Sequence, residues 1–192
     1  DCKCITTGLD PQPMLAGVKT DIVEDVNFKI IKGVGEAMPF NDKEFDVVYS
    51  SHVLEHVQNQ EKVLYEIKRV LKDDGVLIIG VPTSALACLG LLASIFYTTH
   101  IRLARFFAGF FVNVRKTKLS HVFFSYSHST NKTALYDIKN YKIRKWRVLI
   151  SKQFNITNEI LPGLFQFAEY KFFFKIIKNK RLSSSVFFIC KK

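Results

Sequence analysis

The chain has 192 residues, 48% of them apolar and 23% charged. That length fits one domain able to bury a substantial core, and the apolar share excludes an intrinsically disordered chain. Its four cysteines (Cys2, Cys4, Cys88, Cys190) are scattered, which excludes a disulfide scaffold and a paired-cysteine metal site and makes a reducing cytosol the expected compartment. The net charge of +11 is unevenly spread: residues 1–96 carry 9 Lys and Arg against 14 Asp and Glu, and residues 97–192 carry 19 against 3.

The elements are expected in the following order. Residues 4–10 (CITTGLD) read as a strand closing at Asp10-Pro11, followed by a helix over about 14–26 and a strand at 28–32. A glycine-containing loop, 33–40, leads to a buried strand at 45–49, with Ser50 and Ser51 just beyond it. Val63, Leu64, Ile67, Val70 and Leu71 recur at helical spacing, which predicts an amphipathic helix over 60–72 with Gly75 as its left-handed cap. The run VLIIGV at 76–81 is continuously apolar, as in a parallel strand buried on both faces, and Pro82 stops it. Beyond it come a long apolar segment at 85–112, a polar loop at 121–140, and a helix over 143–152 around Trp146. Strands follow at 154–161 and 185–191, on either side of an aromatic, basic insertion at 164–182. Alternating strands and helices imply right-handed crossovers and a parallel sheet.

The run GVGEAMPFNDKEFDVVYSSHVLEHV, then EIKRVLKDDG, resembles the middle of the class I S-adenosylmethionine-dependent methyltransferases, in particular their type 11-like group. Pro39-Phe40, Phe45-Asp46, Leu54-Glu55-His56, Arg69 to Lys72 and Gly75 carry the likeness over residues 33–81. The resemblance implies one α/β, Rossmann-like domain over residues 1–192, with helices on both faces of a sheet ordered 3-2-1-4-5-7-6. It also implies insertions after the family's fifth and sixth strands, the first covering residues 83–142 as a cap or membrane-facing element. That family opens with a strand and a GxGxG turn, where glycine lets the backbone approach the cofactor. Neither precedes residue 4 here, so the chain is expected to be an N-terminally truncated piece that binds the cofactor weakly as it stands.

The implied cofactor is S-adenosylmethionine. An acid at the end of the second family strand accepts from ribose hydroxyls, which assigns Asp10; an ordinary Asp-Pro turn is the alternative. Gly35 and Glu36 fall where the family's backbone meets adenine, although Val34 replaces the usual acid there. Ser50 and Ser51 fall at the cofactor's amino acid end. Met38 and Phe40 are positioned to pack on the purine or in the core. Methyl transfer needs mainly alignment, plus a base where the acceptor is a hydroxyl; His52 and His56 are the expected catalytic residues, with His121 a further candidate. The stretch His52-x-x-Glu55-His56 is similar to the ExxEH of ubiquinone-biosynthesis O-methyltransferases, which bind a divalent cation, but a structural His56 is favoured and no metal is assigned.

The expected acceptor is a small molecule, glycan or lipid intermediate, methylated at oxygen. The basic second half also holds fourteen of the 18 phenylalanines. Arg102 and Arg105 stand beside phenylalanine pairs, a pattern suited to peripheral membrane contact; codon bias alone produces the same composition. A non-catalytic module binding a membrane or partner through that half is the alternative to an enzyme. A nucleic-acid substrate is disfavoured, because only Val81-Pro82-Thr83 stands where base-methylating members carry an (N/D/S)PP(Y/F) signature.

Overall fold

A computed structural model describes residues 4–12, 27–93, 134–163 and 183–192. The elements are β1 (Thr6–Asp10), β2 (Phe28–Lys32), β3 (Phe45–Ser51), α1 (Gln60–Val70), β4 (Leu71–Pro82), α2 (Ser84–Ala93), α3 (Ala134–Asn140), α4 (Ile143–Ser151), β5 (Asn155–Ile160) and β6 (Ser185–Lys191). The expected helix at 14–26, most of the apolar segment at 94–112, His121 and the insertion at 164–182 lie outside the described residues.

The strands form a two-stranded parallel sheet, β1-β2, and a four-stranded sheet ordered β3-β4-β6-β5. This is the order expected from the resemblance, divided where the family's first strand would stand between β1 and β3. One expectation needs correction: the sheet is mixed, because β6 runs antiparallel to both β4 and β5. Entering from the opposite end, β6 brings Ser185 beside Pro82, at the carboxyl end of the parallel pair β3 and β4.

Asn59 starts α1 by accepting from Lys62 N with its side chain at 3.0 Å, and Glu61 follows in the first turn. The first satisfies one free N–H of the helix start, and the second sets an acid at the positive end of the helix dipole. The helix buries Val63, Leu64, Ile67 and Val70, and ends two residues earlier than its periodicity predicts. Leu71 already pairs with Phe45 at the start of β4. Gly75 is therefore no left-handed cap; it lies inside the extended run of β4 with no positive φ. Crowding explains the glycine instead: a Cβ there would stand 2.8 Å from Leu71 Cδ2 and 3.0 Å from Lys72 O. The segment expected as a loop at 121–140 also contains a helix, α3, which Ser84 ties to α2 by donating to Ile138 O at 2.8 Å.

The core is one cluster on one face of the larger sheet. Leu77, Ile79 and Val81 of β4 and Val186, Phe188 and Cys190 of β6 are all fully buried there, as their alternate spacing requires. Both α1 and α4 cover this face, through Leu64 and Ile67 and through Trp146 and Ile150. Trp146 also donates from Nε1 to Pro82 O at 2.9 Å, which pins α4 to the end of β4. Among the described residues the opposite face is less covered: Val47 and Tyr49 are 54% and 64% exposed.

Candidate functional site

A cavity of about 1030 Å³ lies between the two sheets, toward the carboxyl ends of β1 and β3. Its walls are Thr7 to Leu9 of β1, the 33–40 loop, Val47 to Ser51 of β3, and the start of α1. Ligands of α/β sheets bind in this position because the strand order leaves a crevice there.

The loop wall is shaped by one arginine. Arg69, in the last turn of α1, donates from Nη1 to Phe40 O at 2.7 Å and from Nη2 to Met38 O at 2.9 Å. The same guanidinium donates to both oxygens of Glu66 and to Asp42. Glu66 in turn accepts from Met38 N at 2.9 Å. The Arg69 hydrogen bond, with help from Met38 N–H, holds the Glu66 carboxyl below the usual carboxylate range. The planar fork thus fixes two carbonyls of the loop against the helix, a task a lysine's single ammonium cannot perform in the same geometry. The motif comparison matched Arg69 but did not foresee this work; an arginine three residues after a glutamate, both facing a loop of free carbonyls, was the available signal.

The residues expected to bind cofactor divide into two groups. Gly35, Glu36, Ser50 and Ser51 all line the cavity, as do Met38 and Phe40. Val34 O accepts from Ala37 N at 3.2 Å, which closes a tight turn around Gly35 and Glu36, and Glu36 Oε1 accepts from Gln58 N at 3.1 Å. Asp10 closes β1 as expected, but Leu9 and Pro11 line the cavity while the Asp10 carboxylate accepts from Gln12 N at 2.6 Å. That contact is the Asp-Pro turn named as the alternative.

The two histidines also separate. His56 lines the cavity, with its backbone N bonded to Val53 O at 2.9 Å. His52 adopts φ 54°, an uncommon conformation for a residue with a Cβ. Its backbone N donates to Gly80 O at 2.9 Å and its Nε2 meets Ser185 Oγ at 2.8 Å. The Glu55 carboxylate, with no exposed side-chain surface, lies 3.2 Å from His52 Nδ1 and 3.8 Å from His56 Nε2. No group of three or more His, Cys, Asp or Glu able to hold a metal ion occurs among the described residues.

The residues present fit S-adenosylmethionine: an apolar wall at Met38 and Phe40 and the acid Glu36 suit its adenosine half, and two hydroxyls at the strand end suit its amino acid end. No helix among the described residues is long and apolar enough to cross a membrane.

Comparison with known proteins agrees with this geometry. Residues 2–79 match the family model described as a methyltransferase domain. An uncharacterized protein of Methanocaldococcus jannaschii is 45% identical over 60 residues, 31% of this chain and 29% of its own length. The sterol 4-C-methyltransferase of Caenorhabditis elegans is 43% identical over 51 residues, 27% of this chain and 15% of its own. Ajmaline N-methyltransferase of Rauvolfia serpentina is 31% identical over 81 residues, 41% of this chain and 28% of its own. The chain thus spans less than a third of the length of these relatives. Among solved structures, a candidate S-adenosylmethionine-dependent methyltransferase of Listeria monocytogenes aligns with TM-score 0.59 at 14% identity, covering 97% of this chain and 78% of that one. The [4+2]-cyclase SpnF aligns with TM-score 0.57 at 12% identity, covering 97% and 66%. These likenesses show the fold.

Proposed function

We propose that this chain, whose residues 2–79 match the methyltransferase domain, works as a class I methyltransferase that transfers a methyl group from S-adenosylmethionine to an oxygen of a small-molecule, glycan or lipid acceptor. The observation that carries this reading is the cavity, which is lined by Gly35, Glu36, Ser50 and Ser51 from two separate motifs, beyond the carboxyl ends of β2 and β3. Glu36 is suited to hold ribose hydroxyls or the adenine amino group, and Met38 and Phe40 the purine faces. Ser50 and Ser51 are suited to the amino acid end. When bound, the cofactor supplies an activated methyl carbon on a sulfonium. The chain's own part is to align the acceptor and to remove its proton, for which His56 stands at the cavity wall and His52 beside it.

The relatives are named for methylation at a sterol carbon and at a nitrogen of ajmaline, so their names point to no single acceptor atom. Oxygen is favoured here because two imidazoles flank the carboxyl end of β3, and a hydroxyl is the acceptor that most needs a base. A cytoplasmic site of action follows from the four cysteines, and peripheral membrane contact from the basic half.

Calorimetric titration of the full-length protein with S-adenosylhomocysteine tests the cofactor reading. One-to-one binding is expected, with a loss of about tenfold or more in Ser51→Leu, whose side chain enters the cavity. Asp10→Ala decides between the ribose contact and the turn: a loss of about 10- to 150-fold is expected for the first. Wild-type protein that gives no binding heat overturns the proposal.

A further inference from the structure

We infer that Glu55, His52 and Ser185 form a proton relay in which His52 is the base for the acceptor hydroxyl and the other two are positioning residues. The inference rests on methyl transfer to oxygen, and adds the route by which the proton leaves. Three elements meet to build it: the end of β3, the turn that follows, and the start of β6.

The chemistry follows from the contacts. Glu55 stands at ion-pair distance, 3.2 Å from Nδ1, and the negative charge of a carboxylate favours the imidazole tautomer with its proton on Nδ1. Nε2 then carries a lone pair and accepts from the Ser185 hydroxyl at 2.8 Å. A base oriented by a buried acid, with a hydroxyl on its far nitrogen, is the arrangement that activates oxygen for attack in unrelated enzymes. Ser185 is itself 3% exposed, so its hydroxyl serves here as a placeholder rather than a nucleophile. It occupies the position at which an acceptor hydroxyl would give up its proton, and a side-chain rotation vacates that position.

The His52 ring keeps 20% of its surface, whereas Glu55 has none. The base therefore keeps contact with its surroundings and the acid does not. The backbone is held to this end by the bond from His52 N to Gly80 O and by the positive φ. An uncommon conformation held by surrounding structure is the pattern found where a side chain must be aimed. In the transfer step the acceptor oxygen gives its proton to Nε2 as it bonds to the methyl carbon. The carbon–sulfur bond breaks and leaves its electron pair on sulfur. The imidazolium is stabilised by Glu55 and returns its proton to water at the exposed ring edge.

Nitrogen-15 labelling of the 5 histidines, read by imidazole correlation spectra, tests the relay without any acceptor. Wild type should show His52 protonated at Nδ1 with Nε2 bare; Glu55→Gln should mix the tautomers, and Ser185→Ala should move only the Nε2 signal. Diethylpyrocarbonate, which acylates bare imidazole nitrogen, is the second probe, located by peptide mapping. Ser185→Ala should raise the rate at His52 by about tenfold, a hydrogen bond's worth of protection, relative to His56 in the same sample. A wild-type His52 that carries its proton on Nε2 overturns the relay even where Glu55→Gln does not fold. So does a His52 that stays unmodified in Ser185→Ala. Titration with S-adenosylhomocysteine on the same samples separates the two ideas: neither Glu55 nor Ser185 lines the cofactor cavity, so lost cofactor binding sinks methyl transfer and leaves the tautomer as found.

Discussion

The covered face of the larger sheet and the loop wall of the cavity are both well-defined surfaces, yet different forces hold them. Leu77, Ile79, Val81, Val186, Phe188 and Cys190 are fixed by shape: each is fully buried against α1 and α4, and none makes a directional bond through its side chain. Met38 and Phe40 are fixed by direction, because one guanidinium takes both carbonyls and Glu66 takes the Met38 N–H. Apolar packing sets whether the chain folds, and its energy spreads over many atoms. The polar clamp sets where a few backbone atoms point, which is what a binding wall requires.

The sharpest way to break the comparison is to damage the first region alone. Phe188→Ala removes the largest fully buried side chain among the described residues and should cost about 3–5 kcal/mol in denaturant unfolding. That is a large part of a domain's stability, and the cavity wall should be lost with the fold. Cys190 reports on the same face without mutation. Burial, aided by Glu159, pushes its thiol up to about 12, so at pH 8 it should resist iodoacetamide while exposed Cys4 and Cys88 react. Mass spectrometry showing Cys190 labelled as fast as Cys88 in folded protein would mean that this face opens.

Damage to the second region should look different. Arg69→Met keeps much of the side chain's length but strands the Glu66 carboxylate and two carbonyls. The expected loss of stability is about 1–3 kcal/mol, with a larger relative effect on affinity for S-adenosylhomocysteine than Phe188→Leu, which stays apolar. Equal effects of the two variants on affinity would erase the distinction drawn above.

Acid should release the wall through the same contacts. The Glu66 carboxyl is held low by Arg69, and those of Asp46, Asp73 and Glu159 by Lys72, Lys43 and Arg147. A lowered folded pKa means that the unfolded chain takes protons first. These groups therefore stabilise the fold above the ordinary carboxylate pKa and cease to do so as pH falls through their lowered values. Asp46 and Asp73 are exposed and contribute little, which leaves Glu66 and, more weakly, the partly exposed Glu159 as the main contributors. Unfolding midpoints should stay level from about pH 7 to 5 and fall below about pH 4.5. In Arg69→Met that fall should be shallower, because the shift it removes is the cause.

The covered face was largely legible in the sequence and the clamp was not. Apolar alternation and helical spacing gave β3, α1, α4 and β6 within two residues, and β4 except for its first five, because burial imposes a period that residue types reveal. The order of strands came from the resemblance, and β6's antiparallel entry needed the structure, since a strand's direction leaves no local mark. Gly75 was read as a cap because glycine serves both positive φ and close approach, and only the contacts with Leu71 and Lys72 separate the two. For the site, Gly35, Glu36, Ser50, Ser51 and His56 all line one cavity. His52 turned toward Ser185, 133 residues away, a pairing that no local pattern encodes.

The smallest expected effect joins the two regions, because α1 serves both. Its first two turns give Val63, Leu64 and Ile67 to the core, and its last gives Arg69 to the wall. Asn59→Ala removes the side-chain bond to Lys62 N at the opposite end from Arg69. The loss of this cap should cost about 1 kcal/mol, and Asn59→Gly only a few tenths. Since the clamp sits three turns away, the acid profile should keep its shape and shift as a whole. Hydrogen exchange should show faster opening of the first turn of α1 only. If Asn59→Ala instead steepens the acid fall as well, the helix transmits strain along its length, and the wall is held by α1 as a unit rather than by Arg69.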